Sequence, residues 1–215
     1  MAKKAAYDRL PRSPLEAQIV PWGRDRDVHR VHEIVYLPAT FNPSDKGNAR
    51  FSPIRDSDGN IIPTIYAATS LQGALMETVF HDVPYRKGLK SVFKTRLADK
   101  VYSTVRFHAE FQLIDLNKVA LRKMGVKPEH LITTTKAHYP ETRLWAETLY
   151  VHYPSAQGLL WTSRQDDRSL AVVLFGTRVK PSDLSAHGPS QALMTSLKVW
   201  DPVEKLATDM EVILN

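Results

Sequence analysis

The sequence predicts an α+β domain, on three observations. Strand-like and helix-like stretches are both present, but they do not alternate as regular βαβ units, which argues against a doubly wound α/β fold. Residues 61–66 read as a buried strand that turns a tight corner into an amphipathic helical pattern. At 215 residues and 43% hydrophobic, the chain is long and apolar enough to bury one sizeable core.

Taken in order, residues 1 to about 26 read as a polar, charged tail with Pro11, Pro14 and Pro21, and order is not expected before Ile19. Residues 27–37 turn apolar and β-branched, a first strand with Arg30 inside it. Residues 41–60 hold Pro43, Gly47, Pro53 and Gly59 without a regular period. A loop of about 20 residues in a compact domain is more often functional than idle. Within it Arg50 stands next to Phe51.

The strand at 61–66 contains Ile61, Ile62, Ile65 and Tyr66, with Pro63 suited to an edge. Ser70 is a good N-cap. Leu71, Ala74, Leu75 and Val79 then form a core-facing stripe. Glu77 lies on the flank of that stripe, one turn after Gly73 and Ala74 and one turn before His81. Those small neighbours leave room for a close approach to the carboxylate. A solvated glutamate is the plain alternative; a catalytic carboxylate on a rigid element beside a groove is the sharper one.

Further on, 90–97 and 102–116 contain strand-like runs, the second ending at Asp115. Residues 117–124 suit a short helix closed by Gly125. A second helix is expected at 141–152, with Leu144, Trp145, Thr148 and Leu149 on one face. Residues 158–162 and 169–175 read as strands joined by a polar loop that begins at Ser163. Residues 181–189 read as a polar connector, and 197–200 and 210–214 as late strands.

Composition narrows the chemistry. The net charge of +6 favours anionic partners. Residues 1–30 hold seven Lys/Arg against four Asp/Glu, so half of the excess lies in the expected tail and forms no basic stripe. The absence of cysteine excludes a disulfide framework or thiolate metal site. The first residues lack the apolar core of a secretory signal, and the apolar run 170–175 is too short to cross a membrane, so a soluble cytoplasmic protein is expected. No HExxH, P-loop, GxGxxG or GxSxG is present. His29 and His32 are the one close histidine pair, and on a strand they point to opposite faces, so no metal site is expected.

What remains is Arg30, Arg50, Phe51, Tyr66, Glu77 and Ser163. Arginine forks suit a diphosphate, aromatic rings suit a flat heterocycle, and a fixed carboxylate suits a developing positive charge. Together these are parts for breaking the nicotinamide–ribose bond of NAD, which passes through an oxocarbenium-like state as glycosidic bonds do. Ser163 reads equally as a loop cap. The competing function is a basic nucleic-acid-binding or RNA-cleaving toxin module.

From about residue 28 to 179 the sequence resembles the RES domain family. The resemblance rests on Arg30 in the first strand, on Arg50 in a loop similar to the family's GGRWN, on a YxAxSxxxAxxExxxH pattern and on a strand ending in Ser163. The pattern is met by Tyr66, Ala68, Ser70, Ala74, Glu77 and His81, and is the most specific of the four. Ala49, Phe51 and Ser52 depart from the family's usual Gly, Trp and Asn. The resemblance implies a split antiparallel sheet with flanking helices around an NAD cleft, as in diphtheria-toxin-type ADP-ribosyltransferases. It implies a toxin that consumes NAD as substrate, restrained by a helix-turn-helix (Xre-type) antitoxin that alone touches DNA. It implies Glu77, Arg50 and Ser163 as catalytic, with Arg30, Arg50, Phe51, Tyr66 and Ser163 binding NAD. Water, phosphate and a protein side chain stay open as acceptors. The expected organisation is an extension at 1–27, the RES domain at 28–180 and a second extension at 181–215 packed on it.

Overall fold

The computed structural model of the chain describes residues 10–11 and 15–215. The remainder of the expected tail, with Lys3, Lys4, Arg9 and Arg12, lies outside the described residues. In chain order the elements are β1 (Gln18–Trp22), β2 (Arg26–Glu33), β3 (Ile54–Arg55), β4 (Ile61–Ile62), β5 (Thr64–Ala68), α1 (Leu71–Met76), β6 (Lys90–Val92), β7 (Lys100–Phe107) and β8 (Phe111–Asp115). There follow α2 (Lys118–Lys123), α3 (Pro128–Leu131), α4 (Tyr139–His152), β9 (Gly158–Thr162), β10 (Leu170–Phe175), β11 (Leu184–Ala186), β12 (Gln191–Ala192), α5 (Leu197–Asp209) and β13 (Val212–Leu214).

Among the described residues nine strands form one sheet in the order β1-β8-β9-β10-β5-β2-β7-β11, with β12 beside β11 on β7. Strand and helix are mixed as expected, but the sheet is not wholly antiparallel, because β8 and β9 run parallel. The connection between them carries α2, α3 and α4, the long crossover that a parallel pair needs. Side chains alternate cleanly across the sheet. Leu159, Trp161, Ala171, Val173 and Phe175 face a core shared with Trp145 and Leu149 of α4. Leu160, Val172 and Leu174 face the opposite core, with Trp22, Phe107 and Phe111. Each such fully buried side chain contributes roughly 1.5–3 kcal/mol.

One place in the sheet is thin. The β10–β5 ladder has five residue pairs and the β2–β7 ladder eight, but β2 and β5 share only His29↔Ala68. Beyond that pair the two strands part. A third core, built on α1 and α5 with Val31, Ala68, Leu75, Phe80, Val203 and Leu206, packs beside the parting.

Four expectations are corrected. The tail contains β1, paired with β8 at the sheet edge, where Pro21 opposite Gln112 is tolerated because an edge strand leaves one side unpaired. The connector at 181–189 contains β11, which pairs with β7. The stretch 197–200 opens helix α5, whose buried Val199, Val203, Leu206 and Ala207 keep helical spacing across Pro202. In α4 the buried face is Thr142, Trp145, Ala146 and Leu149, while Leu144 is exposed. No helix among the described residues is long and apolar enough to cross a membrane.

Candidate active site

Helix α1 is short, and its placement fixes Glu77. Ser70 caps it, its Oγ accepting from the Gly73 N–H at 2.9 Å. The Ser70 hydroxyl also lies 3.0 Å from Ser169 Oγ, which is 3.2 Å from Thr69 Oγ1. Ser169 sits just before β10 and presses on the helix at Gly73, where a Cβ would lie 2.0 Å from Ser169 Oγ. The room expected at Gly73 is thus used by the chain's own Ser169 hydroxyl, whereas Ala74 lines a cavity together with Glu77. The helix ends at Met76 and Glu77 is its C-cap, its N–H bonded to the Gly73 carbonyl. His81 therefore lies past a turn, not one helical turn onward.

Glu77 is not a solvated surface glutamate: its side chain is 16% exposed. Its Oε1 accepts from Ser163 Oγ at 2.7 Å and from the Arg164 N–H at 3.2 Å. Ser163 is buried and also accepts from the Gln165 and Asp166 N–H groups, so it is both the loop cap and the partner of Glu77. With its hydroxyl proton given to Glu77, those roles are compatible. The other carboxylate oxygen, Oε2, lies 3.7 Å from Arg50 Nη1.

Arg50 is buried, and Nε, Nη1 and Nη2 meet no hydrogen-bond acceptor among the described residues. Its guanidinium stands 5.8 Å from the centre of the Tyr139 ring. The loop that carries it is tied to α4: Thr142 Oγ1 donates to the Arg50 carbonyl, and Arg143 Nη1 donates to Asn48 Oδ1 at 2.8 Å. A buried guanidinium without acceptors is costly unless something else supplies them.

Arg50 and Glu77 line a cavity of about 300 Å³, at the small end of the range for small-molecule sites. The cavity lies where β2 and β5 part, with His29, Val31, Tyr66 and Ala68 in its wall. Tyr66 is held by the Phe51 N–H, which donates to its hydroxyl at 3.1 Å, and burial pushes that phenol up to about 12. Trp161 backs the pocket edge-on to Phe51 and Tyr66, its buried indole N–H without a hydrogen-bond partner among the described residues.

The sequence-derived residues do not all converge. Arg50, Tyr66 and Glu77 line the cavity, and Ser163 stands directly behind Glu77. Phe51 does not line it: the ring is fully buried in the core against Trp161. Arg30 borders the cavity, but its Nη1 donates to the carbonyls of Pro38 at 2.7 Å, Thr40 at 3.1 Å and Leu37 at 3.4 Å. Burial brings the Arg30 guanidinium down to about 10.

Sequence reasoning missed Tyr139, Trp161 and the rim. Trp161 had one legible signal, its position two residues before Ser163 on the same strand face. At the rim, Asp82 accepts from Lys136 Nζ at 2.6 Å and lies 3.6 Å from Arg96. Burial opposes its ionisation, but Lys136 and His81 outweigh that and hold it at about 2. Burial lowers His81 as well, so the imidazole is neutral. Its Nδ1–H then donates to the ionised Asp82 at 3.0 Å, and Nε2 accepts from the Tyr139 hydroxyl at 2.8 Å. The described residues hold no cluster of three or more His, Asp or Glu that would grip a metal ion.

Comparison with curated proteins finds no match. Among solved structures, a chain in the crystal structure of the M. tuberculosis MbcT–MbcA toxin–antitoxin complex has a TM-score of 0.62, with 14% sequence identity over 90% of this chain and 91% of that one. At that identity the likeness is one of fold. The RES domain family matches residues 27–195. That match spans most of the sequence and contains Arg50, Tyr66, Glu77 and Ser163: the chain belongs to the RES domain family.

Proposed function

We propose that this chain is the toxin of a type II toxin–antitoxin pair and that it cleaves the nicotinamide–ribose bond of NAD in an ADP-ribosyltransferase-like cleft. The observation that carries this reading is the buried Arg50 guanidinium, without a hydrogen-bond acceptor among the described residues, 3.7 Å from Glu77 inside a small cavity. An anionic substrate oxygen satisfies the arginine, and a phosphate suits its fork. Glu77 is held through Oε1 by Ser163 and Arg164, leaving Oε2 on the side of Arg50. A carboxylate fixed in this way favours positive charge developing on the ribose more than it favours the neutral ground state. Tyr66 supplies a flat wall, and Phe51 contributes through the backbone N–H that orients it. Water, phosphate and a protein side chain all require this same first step.

The similarity to a chain of a toxin–antitoxin complex supports a cytoplasmic partner of that kind. We take the partner to be a helix-turn-helix antitoxin, through which DNA is touched. An acidic segment of it paired with Arg50 would exclude NAD. The test is nicotinamide release from NAD by the purified chain without nucleic acid. Wild type should release nicotinamide, and Glu77→Gln should lose on the order of 10²–10³ in rate while keeping its thermal midpoint. Co-expression with a neighbouring gene product should yield a complex without activity. Wild-type turnover by Glu77→Gln, or a fully active complex, contradicts the reading.

A further inference from the structure

The cavity continues past its rim. A second groove of about 230 Å³ shares Asp82 and Arg96 with the cavity wall. Val79, Val83 and Val92 lie nearly buried beneath it, and Pro84 is its exposed apolar side. Arg86 and Lys90 stand beside them, and Arg96 closes the end nearest the cavity. Lys90 Nζ donates to the Arg86 carbonyl at 3.1 Å, which holds the ammonium close to the Arg86 backbone.

The nearby acids are mostly committed. Asp82 is paired with Lys136 and His81 as well as Arg96, and Asp209 lies 2.5 Å from Lys205. Glu211 belongs to the next groove, on the far side of Arg86 and Lys90. The groove therefore sets three cations against one already shared carboxylate, with Pro84 as its exposed apolar side. A phosphate suits the cations, and a purine ring beside it would lie on Pro84. Arginine beside an adenosine ribose is the usual recognition of a 2′-phosphate, and its fork suits that dianion.

We propose that this groove is the adenosine subsite, that Arg86 and Lys90 take a 2′-phosphate, and that NADP is therefore preferred to NAD. This rests on the reading that the cavity cleaves a nicotinamide dinucleotide. With the nicotinamide riboside beside Glu77, the diphosphate meets Arg50 and runs on past Arg96 and Lys136, and the adenosine enters the second groove.

The direct test needs no catalysis. Adenosine 2′,5′-bisphosphate and ADP, which carry equal numbers of phosphates, are titrated into the full chain. The bisphosphate should bind about tenfold more tightly, roughly one charge-assisted contact. Arg86→Ala and Lys90→Ala should each remove most of that preference and leave ADP within about twofold. Equal binding of the two nucleotides by wild type overturns the proposal. So does an equal weakening of both by the variants, which marks a general positive field. In a second arm, nicotinamide release should show a higher kcat/KM for NADP than for NAD, and the variants should lower only the former. Bisphosphate preference without cleavage of either dinucleotide means that the cleavage reading has failed and the groove assignment stands. Cleavage of NAD without any preference means the reverse.

Discussion

Arg30 and Arg50 are buried almost equally, at 6% and 4% exposure, yet they are used in opposite ways. Arg30 gives one nitrogen to three carbonyls of the loop that follows β2. Arg50 gives its nitrogens to no acceptor among the described residues and faces a carboxylate across 3.7 Å. Burying a guanidinium costs several kcal/mol in either place. At Arg30 the backbone offsets that cost within the fold. At Arg50 it is offset only by Glu77 and the face of the Tyr139 ring. The contrast separates an arginine that holds a loop from one whose nitrogens are left facing a cavity.

Substitutions at four positions sharpen or break that contrast, and the first has the largest expected effect. Arg50→Met removes a charge the fold satisfies only in part. It should lower kcat/KM for NAD on the order of 10²-fold, with some fall in thermal midpoint because the largely buried Glu77 loses its cation. A large fall in midpoint without loss of NAD cleavage would place Arg50 among structural residues. Arg50→Lys keeps the charge without the fork and should mainly raise KM.

Gly73→Ala comes next, because its Cβ would meet Ser169 Oγ at 2.0 Å. Shifting α1 by even part of that overlap moves Glu77 away from Ser163. We expect a loss of stability of about 1–3 kcal/mol and a clear drop in turnover, both partly restored by the double variant Gly73→Ala with Ser169→Gly. No recovery in the double variant would contradict the packing account.

Arg30→Met should act on stability. Three carbonyls lose their donor, at about 1–3 kcal/mol, or roughly 2–4 °C in Tm for each kcal/mol. KM for NAD should change only a few-fold. The smallest effect concerns pH and the same region. His32 is buried, with its Nε2 2.8 Å from Ser103 Oγ, and burial together with the Arg30 charge lowers it from the ordinary 6.5 to about 4. The folded state therefore binds its proton later than the unfolded state as pH falls. His32 contributes stability fully above about pH 6.5, and this is lost on acidification toward pH 4, by up to about 1.4 kcal/mol per pH unit. His32→Gln should flatten that part of a stability–pH profile, and an unchanged slope would exclude His32 as its source.

What was legible in the sequence was local or chemically marked. The run from Tyr66 to His81 reads directly because strand, cap and helix lie within a few residues, and the structure places Tyr66 and Glu77 on one cavity. Arg50 and Ser163 were legible as residue types, although the meeting of Arg50, Glu77 and Ser163 is made by the sheet and the β9–β10 loop. Arg30 was not legible in its present use, because its acceptors are backbone carbonyls that any residue could supply. Phe51 looked like a ligand-facing ring, but its burial depends on Trp161, 110 positions away, which no local pattern reports. Strand β1 was masked by Pro21, and helix α5 by Pro202. Pro21 sits on an edge strand, where its missing N–H is tolerated, whereas Pro202 lies inside α5 and the buried Val199, Val203, Leu206 and Ala207 hold the helix across it.

The most direct measurement is NAD affinity in a background that does not turn over. NAD is titrated into Glu77→Gln alone, and into the same chain carrying Arg50→Met or Arg30→Met. The account predicts that Glu77→Gln binds NAD, that adding Arg50→Met weakens binding at least about tenfold, and that adding Arg30→Met leaves it within about threefold. Equal affinity with and without Arg50, or the larger loss on removing Arg30, would contradict it.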